Sequence, residues 1–256
     1  MLHLDRTRAG SFGDDAERYE RTRPGYPPAL IEDLLAGGAL DVLDVGCGTG
    51  ITSRLFVERG CAVLGVEPDD RMAAVALGHG LHVEGGTFED WEPAGRRFDL
   101  VVAGQAWHWV DPERGAAKAA DVLRVPGRLA VFWNQGLLPA GVRSALDDVY
   151  RRLAPGLDRH AIALGHMEEG RFARVARALQ GTGRFHVPSV RAYTWRREYT
   201  TERWLDQLPT HSDHHALPTE RLDDLLAEVR RVVDGAGGRF DMTYRTWVVT
   251  AGRREA

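Results

Sequence analysis

The stretch DVLDVGCGTG, residues 41–50, leads from an apolar run directly into three glycines at alternate positions. The apolar run predicts a short buried strand. Gly46, Gly48 and Gly50 predict a tight loop that a ligand can approach without obstruction by Cβ atoms. In a doubly wound sheet, ligands bind beyond the carboxyl ends of the strands. The stretch therefore predicts both a class of fold and the place of a ligand site.

Strands and helices alternate along the rest of the chain. The predicted strands are residues 41–46, 61–67, 82–86, 98–104, 127–134, 191–200 and 239–252. The predicted helical segments are 15–36, broken by PGYPP, and 49–59, 69–77, 112–124, 139–182 and 201–234. Apolar strands of this length between helices are typical of a parallel sheet covered on both faces. We expect an α/β, Rossmann-like, doubly wound and mostly parallel seven-stranded sheet, with helical insertions after strand 5 and between the last two strands.

Composition limits the class of protein and of partner. The chain has 256 residues, of which 43% are hydrophobic and 27% charged, and its net charge is -4. This charge gives no electrostatic reason to expect a nucleic acid or an anionic membrane as partner. Cys47 and Cys61 show no metal-binding spacing and are too few for a disulfide framework, which favours a cytoplasmic location. No apolar run approaches the ~18 residues that a membrane span requires, and the first twenty residues do not have the pattern of a signal peptide.

The glycine loop does not match the common phosphate-binding patterns. The P-loop sequence GxxxxGK[ST] is absent from the chain, and the third small residue of the dinucleotide fingerprint is replaced by Ile51. Glu67 ends the next strand, where a carboxylate can accept both hydroxyl protons of a ribose. The residues therefore favour a ligand with a free ribose that need not carry a pyrophosphate. They disfavour a nicotinamide oxidoreductase.

Five pieces of the chain, in order, resemble the motifs of one enzyme family. DVLDVGCGTG and VLGVEPDDRM (63–72) resemble the first two motifs of class I S-adenosylmethionine-dependent methyltransferases. GGTFED (85–90), FDLVVAGQAWHWVD (98–111) and GRLAVFWN (127–134) resemble the family's adenine-contacting turn, its fourth-strand motif and its fifth strand. SFGDDAERYERTRPGYP (11–27) resembles the N-terminal lid of the trans-aconitate methyltransferase-like subgroup. The resemblance covers about residues 11–135, and beyond these it extends only to the general architecture.

The resemblance implies one domain over residues 1–256, divided by role. Its parts are N-terminal lid helices (1–38), a cofactor-binding core (39–135), substrate-side insertions (136–238) and the last strand (239–252). The implied cofactor is S-adenosyl-L-methionine, with S-adenosyl-L-homocysteine as product. The expected cofactor-binding residues are Asp44, Gly46, Cys47, Gly48, Gly50, Glu67, Pro68, Met72, Thr87, Phe88, Glu89, Gln105, Tyr19 and Arg23. Among them, Asp44 either approaches the ammonium group or orders the loop, and Arg23 either pairs with the cofactor carboxylate or is an ordinary solvated helix arginine. Asp90 is the alternative to Glu89 as the acid that contacts adenine.

The acceptor site is expected at the carboxyl ends of the fourth and fifth strands and under the insertions. His108 is a candidate general base, because an unperturbed imidazole accepts a proton near neutral pH. The expected substrate-binding residues are Tyr26, Trp107, Trp109, Trp133, Asn134, Trp195, Arg196 and His211. Alternate residues of an extended segment point in opposite directions, so Trp107 and Trp109 cannot both line one face. The segment HSDHH (211–215) lacks a second cluster of ligands with matching spacing, and we expect no metal.

These features lead to two hypotheses of different classes. The first is an enzyme that methylates a small-molecule acceptor at O, N, S or a carboxylate by in-line transfer, without a nucleic-acid or membrane partner. The second is a protein that binds S-adenosylmethionine without methyl transfer, as a regulator or as a non-methylating catalyst. Formation of S-adenosylhomocysteine distinguishes them. The sequence leaves the oligomeric state open.

Overall fold

A computed structural model describes residues 3, 5, 10–36, 38, 40–157 and 170–255 of the chain. The strands of this part are β1 (Asp41–Val45), β2 (Ala62–Glu67), β3 (His82–Gly85), β4 (Phe98–Gly104), β5 (Leu123–Leu137), β6 (Ser189–Thr200) and β7 (Arg239–Gly252). They form one sheet in the order β3-β2-β1-β4-β5-β7-β6. Strands β1 to β5 pair in parallel, and β7 runs antiparallel between β5 and β6. The expected seven-stranded, mostly parallel α/β sheet is confirmed.

Helices connect the strands and form the two insertions. They are α1 (Ala16–Thr22), α2 (Pro28–Leu34), α3 (Ile51–Val57), α4 (Asp70–Gly78), α5 (Pro112–Val122), α6 (Ala140–Leu153), α7 (Arg171–Gly181), α8 (Thr201–Gln207), α9 (Ser212–His215) and α10 (Thr219–Gly235). Short 3-10 turns cover Ser11–Asp15, Trp107–Trp109 and Leu208–Thr210. Helices α6 and α7 follow β5, and α8 to α10 lie between β6 and β7, where the insertions were predicted. Two of the predicted segments lie partly outside the described residues. These parts are residues 158–169 of the predicted helical segment 139–182, and residues 1, 2, 4, 6–9 and 37 of the predicted lid.

Local sequence explains where several helices begin. Asp15 and Asp69 accept hydrogen bonds from the backbone N–H groups of Arg18 and Arg71, which caps α1 and α4. Asp111 caps α5, and Pro112 follows it at the first helical position, where no N–H group is needed. These caps satisfy backbone N–H groups in the first turns of α1, α4 and α5.

The core occupies both faces of the sheet. Along β5, Leu129, Val131 and Trp133 are buried in one apolar cluster, whereas Ala130 and Phe132 are buried in the cluster on the opposite face. This period of two is the pattern of a strand covered on both sides. A third apolar cluster joins α6, α8 and α10 to the inner face of β7. The insertions thus have a core of their own that is continuous with the last strand.

Strand β5 is longer than its apolar pattern predicts. The sequence indicated a helix to residue 124 and a strand over 127–134, whereas α5 ends at Val122 and β5 continues to Leu137. The strand continues because β7 pairs with it from Arg128 to Leu137 and supplies backbone partners where the apolar pattern has ended. This extension brings residues 134–136 to the carboxyl ends of the parallel strands, where the candidate site lies. No helix among the described residues has the length and apolarity that crossing a membrane would need.

Candidate active site

A cavity of about 340 Å³ opens at the carboxyl ends of β1, β2 and β4. One half is lined by the loops that follow β1, β2, β3 and β4. The other half is lined by the end of α1 and by residues of β5, α7, α8 and β7. The volume lies in the ~300–1,000 Å³ range of small-molecule sites.

The loop after β1 holds its shape through glycine conformation and close packing. Gly46 and Gly48 have φ values of +64° and +57°, a region that glycine enters without a Cβ penalty. The N–H groups of Gly46 and Cys47 donate to the carbonyl of Val66 at 2.8 and 3.2 Å. A Cβ atom on Gly46 would lie 2.6 Å from Cβ of Ala106. The loop therefore packs against both β2 and the end of β4, and both of its first two glycines line the cavity.

Glu67 ties this loop to the end of β2. Its Oε2 accepts a hydrogen bond from the Gly48 N–H at 2.8 Å, and its Oε1 accepts one from the Asp69 N–H at 3.0 Å. The side chain is buried, and this burial raises the pKa of the carboxyl group to about 7. Glu67 and Pro68, which were expected to bind the cofactor, both line the cavity.

Asp44, Gly50 and Cys47 do not line this cavity. Asp44 is fully buried, and its Oδ2 accepts a hydrogen bond from the Ser53 hydroxyl at 2.6 Å. Its Oδ1 has no partner among the described residues, and burial raises the pKa of the group to about 7. Gly50 faces Leu81 and precedes α3. Cys47 lines a smaller adjoining space of about 50 Å³.

The residues that were expected to contact adenine lie together on the cavity wall. Met72, Thr87, Phe88 and Glu89 all line the cavity. Met72 approaches the glycine loop, since a Cβ atom on Gly48 would lie 3.4 Å from its Cε. Oε1 of Glu89 accepts a hydrogen bond from the backbone N–H of residue 111 at 2.7 Å, which fixes the carboxylate beside the turn.

The turn after β4 brings one predicted tryptophan to the cavity and turns the other away. Gln105 adopts a φ of +57°, which is unusual for a residue with a side chain, and it lines the cavity together with His108 and Trp109. Trp107 is buried and packs against Phe88, with ring centroids 6.0 Å apart. The segment is not extended as expected, since residues 107–109 form a 3-10 turn; Trp109 lines the cavity, and Trp107 belongs to the core.

Trp133 lies behind the cavity wall and contacts a residue of the wall. It is fully buried, it does not line the cavity, and its indole N–H donates to Nδ1 of His108 at 3.2 Å. Asn134 does line the cavity, and its amide donates to the carbonyl of Gly25 at 2.9 Å. The end of β5 thus supplies one wall residue and one supporting residue.

Ion pairs tie helix α1 to helix α8 of the insertion between β6 and β7. Nε atoms of Arg18 and Arg21 both lie 3.0 Å from the Asp206 carboxylate. Arg23 donates to the carbonyl of Thr210 at 2.6 Å, and its guanidinium lies 4.8 Å from the centroid of the Tyr19 ring.

Arg23 and Tyr19 line the cavity, whereas Tyr26 lines only the smaller space. The Nε atom of Arg23 is buried and has no hydrogen-bond partner among the described residues. This orphaned donor is available to a ligand.

The far wall contains residues that were not predicted from the sequence. They are Phe12, Pro24, Arg171, Trp204, Gln207, Ser212, Asp213, Met242 and Tyr244. Tyr244 and Tyr199 bring their hydroxyl oxygens to 2.6 Å, and Tyr199 donates to Oε1 of Gln207 at 2.8 Å. The alternation of residues 239–252 could have indicated which side chains of β7 face inward, since Phe240, Met242 and Tyr244 are buried on one face.

The remaining predicted substrate residues divide between wall and exterior. His211 lines the cavity, and burial lowers the pKa of its imidazole well below 6.5. Trp195 stacks on Tyr244 at 4.6 Å and donates to Thr246, but it does not line the cavity. Arg196 is exposed on β6. Both lie off the wall because β6 is the edge strand beyond β7. In the described ranges, no group of three or more His, Cys, Asp or Glu residues is placed to hold a metal ion.

Comparison with known proteins identifies the family of this chain. The family model described as methyltransferase domain matches residues 43–131. An uncharacterized methyltransferase of Mycobacterium tuberculosis is 44% identical over 127 residues, which are 48% of this chain and 52% of the relative. The chain therefore spans about half the length of that relative. An uncharacterized methyltransferase of Geobacillus is 30% identical over 172 residues, 59% of this chain and 80% of the relative.

Solved structures share the fold over most of the chain. A protein described as a type II methyltransferase from Anaeromyxobacter dehalogenans has a TM-score of 0.64 at 22% identity, and the match covers 90% of this chain and 97% of that one. A phosphoethanolamine N-methyltransferase of Haemonchus contortus has a TM-score of 0.55 at 16% identity, covering 99% of this chain and 59% of that one. At these identities the likeness shows the fold alone. The Geobacillus relative, of which this chain covers 80%, and the family model show that the chain belongs to the class I S-adenosylmethionine-dependent methyltransferases.

Proposed function

We propose that this chain binds S-adenosylmethionine in the cavity and catalyses transfer of its methyl group to a small-molecule acceptor. The observation that carries the proposal is the continuity of the cavity. Its wall runs from the glycine loop and Glu67 to residues of α8 and β7, such as Gln207 and Tyr244. One space thus joins the loops that carry the family's cofactor motifs to the insertion between β6 and β7.

The residues of the first half suit the cofactor. Each carboxylate oxygen of Glu67 accepts one backbone hydrogen bond and retains a lone pair for a ribose hydroxyl. Met72 and Phe88 offer apolar contact to an adenine ring. The orphaned Nε–H of Arg23 suits the cofactor carboxylate. Asp44 fits the role of ordering the loop, because it bonds to Ser53 and does not line the cavity.

The second half supports a small acceptor that this chain holds and orients. When bound, the cofactor supplies an electrophilic methyl group and leaves as a neutral thioether, so acid catalysis is not required at the leaving group. The wall can contribute by alignment alone, which supplies up to ~7–11 kcal/mol in well-oriented reactions. The lid, tied to Asp206, would exclude water from this arrangement.

We also propose a carboxylate as the first acceptor class to test. The support is the resemblance of residues 11–27 to the lid of the trans-aconitate methyltransferase-like subgroup, together with Arg171 on the wall. Oxygen, nitrogen and sulfur acceptors belong in the same screen. Free, buried Cys47 and Cys61 fit a reducing cytoplasmic setting.

The first experiment measures cofactor binding by isothermal titration with S-adenosylmethionine, S-adenosylhomocysteine and NAD. We expect the two sulfur compounds to bind and NAD not to bind. Glu67→Gln should weaken binding about 10- to 100-fold, as loss of a charged hydrogen bond does. Glu92→Gln, at an exposed position, serves as the matched control.

Binding of NAD alone would contradict the assignment of the loop. An acceptor screen with small carboxylic acids, phenols, amines and thiols then follows S-adenosylhomocysteine formation. Binding without turnover on any acceptor would favour the alternative, a protein that binds S-adenosylmethionine without methyl transfer.

A further inference from the structure

The hydrogen bond between Trp133 and His108 determines which imidazole nitrogen carries a proton. An indole N–H is a donor only, and it points at Nδ1 of His108 at 3.2 Å. Nδ1 must therefore accept this bond with its lone pair. A neutral imidazole with an acceptor Nδ1 carries its proton on Nε2. A doubly protonated ring would set two N–H donors against each other.

Trp133 is held firmly in this role. Its side chain is fully buried, and its backbone pairs with Trp247 of β7 in the centre of the sheet. Its ring contacts Phe172, and the Arg171 guanidinium lies 5.4 Å from its centroid. A tryptophan fixed in this way cannot turn its N–H toward another acceptor without disturbing the core.

The same bond orients the His108 ring relative to the cavity. Trp133 lies behind the wall, whereas His108 is part of it. The Nδ1 edge of the ring thus faces Trp133, so Nε2, on the other side of the ring, is directed away from Trp133. His108 lines the cavity together with Gln105, at the carboxyl end of β4. This is the junction between the two halves of the cavity.

We propose that His108 serves the methyl acceptor as a hydrogen-bond donor through Nε2–H, with Trp133 as the residue that positions it, and not as a general base. This proposal rests on the proposed function, which identifies the group that His108 would contact as the methyl acceptor. It revises the expectation from sequence, in which His108 was a candidate base. A base needs a lone pair toward the substrate, and the lone pair of His108 is directed at Trp133.

The assignment limits the chemistry of the acceptor. The bond from methyl carbon to sulfur breaks and its electron pair stays on sulfur, while a lone pair of the acceptor forms the new bond. An anionic oxygen acceptor reaches a neutral product with no proton to transfer. His108 donating from Nε2 would align such an oxygen, whereas a protonated acceptor must lose its proton to a group other than His108.

Nitrogen NMR spectroscopy tests the tautomer without any ligand. The protein is labelled with ¹⁵N at histidine and tryptophan and measured at pH 7.5, and His108 is assigned by the loss of its signals in His108→Gln. We expect a nonprotonated Nδ1, a protonated Nε2, and a coupling across the hydrogen bond between Nδ1 and the Trp133 indole nitrogen. Trp133→Phe should abolish the coupling. Trp109→Phe should retain it, because the Trp109 ring contacts His108 at 4.9 Å without this bond.

A protonated Nδ1 in the unaltered protein, or the absence of the coupling, would overturn the proposal. Once the screen identifies an acceptor, kinetics supply a second test. His108→Gln retains an N–H near the position of Nε2 but cannot take up a proton, and it should keep kcat within about tenfold, whereas His108→Phe should lose more. A base would be lost in both variants, with a drop of ~10²–10⁴-fold. Failure of S-adenosylmethionine binding would refute the proposed function, whereas the NMR spectrum would still test the tautomer of His108.

Discussion

Gly50→Ala adds one methyl group at a position where the structure has room for none. The new Cβ atom would lie 2.2 Å from Cδ1 of Leu81, against the ~3.5 Å or more of an ordinary carbon contact. Leu81 is buried and must move by more than about 1 Å to relieve the overlap, at an overpacking cost of ~1–3 kcal/mol. The φ of +87° adds ~1–2 kcal/mol for a residue with a side chain.

The reduced entropy of the unfolded chain returns ~0.4–1 kcal/mol. The expected loss of stability is therefore about 3 kcal/mol, which corresponds to about 6–12 °C in Tm for a chain of this length. Gly60→Ala is the matched control. Gly60 has a φ of +82°, and no heavy atom lies within 4 Å of its Cβ position, so only the backbone cost of about 1 kcal/mol remains.

Urea denaturation of both variants measures the difference, and titration with S-adenosylmethionine measures the site. Because Gly50 lines neither cavity, the folded variant should bind the cofactor within about threefold of the unaltered protein. Equal stability of the two variants would refute the packing argument at Leu81. Unchanged stability with a large loss of affinity would show that Gly50 contacts the cofactor, as the family resemblance implies.

Two further predictions concern charged groups. Asp206→Asn removes the ion-pair partner of Arg18 and Arg21 and should lower the free energy of unfolding by up to ~1 kcal/mol at low salt. The loss should be smaller at 1 M salt, because salt screens exposed charges. Thermal melts measure the difference, and Asp223→Asn at an exposed position is the control. Burial raises the pKa of Asp44 from 3.8 to about 7, so the folded protein binds more protons than the unfolded chain between these pH values and loses stability as the pH rises through them. Asp44→Asn removes this pH dependence. Between pH 4 and pH 8, the free energy of unfolding of the variant, measured by urea melts, should therefore rise relative to that of the unaltered protein by at most about 4 kcal/mol. A constant difference across this range would contradict the burial argument.

The parts of the site that were predictable lie close together in the chain. Gly46, Gly48 and Glu67 belong to two consecutive strands and their loops, so a local pattern determines both their residue types and their positions. The sheet followed from the alternation of apolar strands and helices. Trp107 and Trp109 show the limit of such patterns, because they lie in a 3-10 turn and not in the extended segment that the alternation argument assumes.

The far wall depends on contacts between distant parts of the chain. Trp204, Gln207 and Tyr244 come together only because β7 lies between β5 and β6, and strand order is not encoded in the periodicity of any one strand. The same order explains the misplaced Trp195 and Arg196. Their strand alternates as predicted, but it lies at the edge of the sheet, one strand further from the cavity.

The central place of the last strand has a consequence for synthesis of the protein. Strand β6 leaves the ribosome before β7, yet β7 is its sole partner among the described strands. Until residue 252 has been made, the twelve residues of β6 and one edge of β5 have no backbone partner, and unpaired strand edges favour aggregation. Met242 and Tyr244 are also absent from the cavity during this period. A nascent chain would thus have its family motifs complete long before it has a site, and cofactor binding could not assist its folding until β7 has been made.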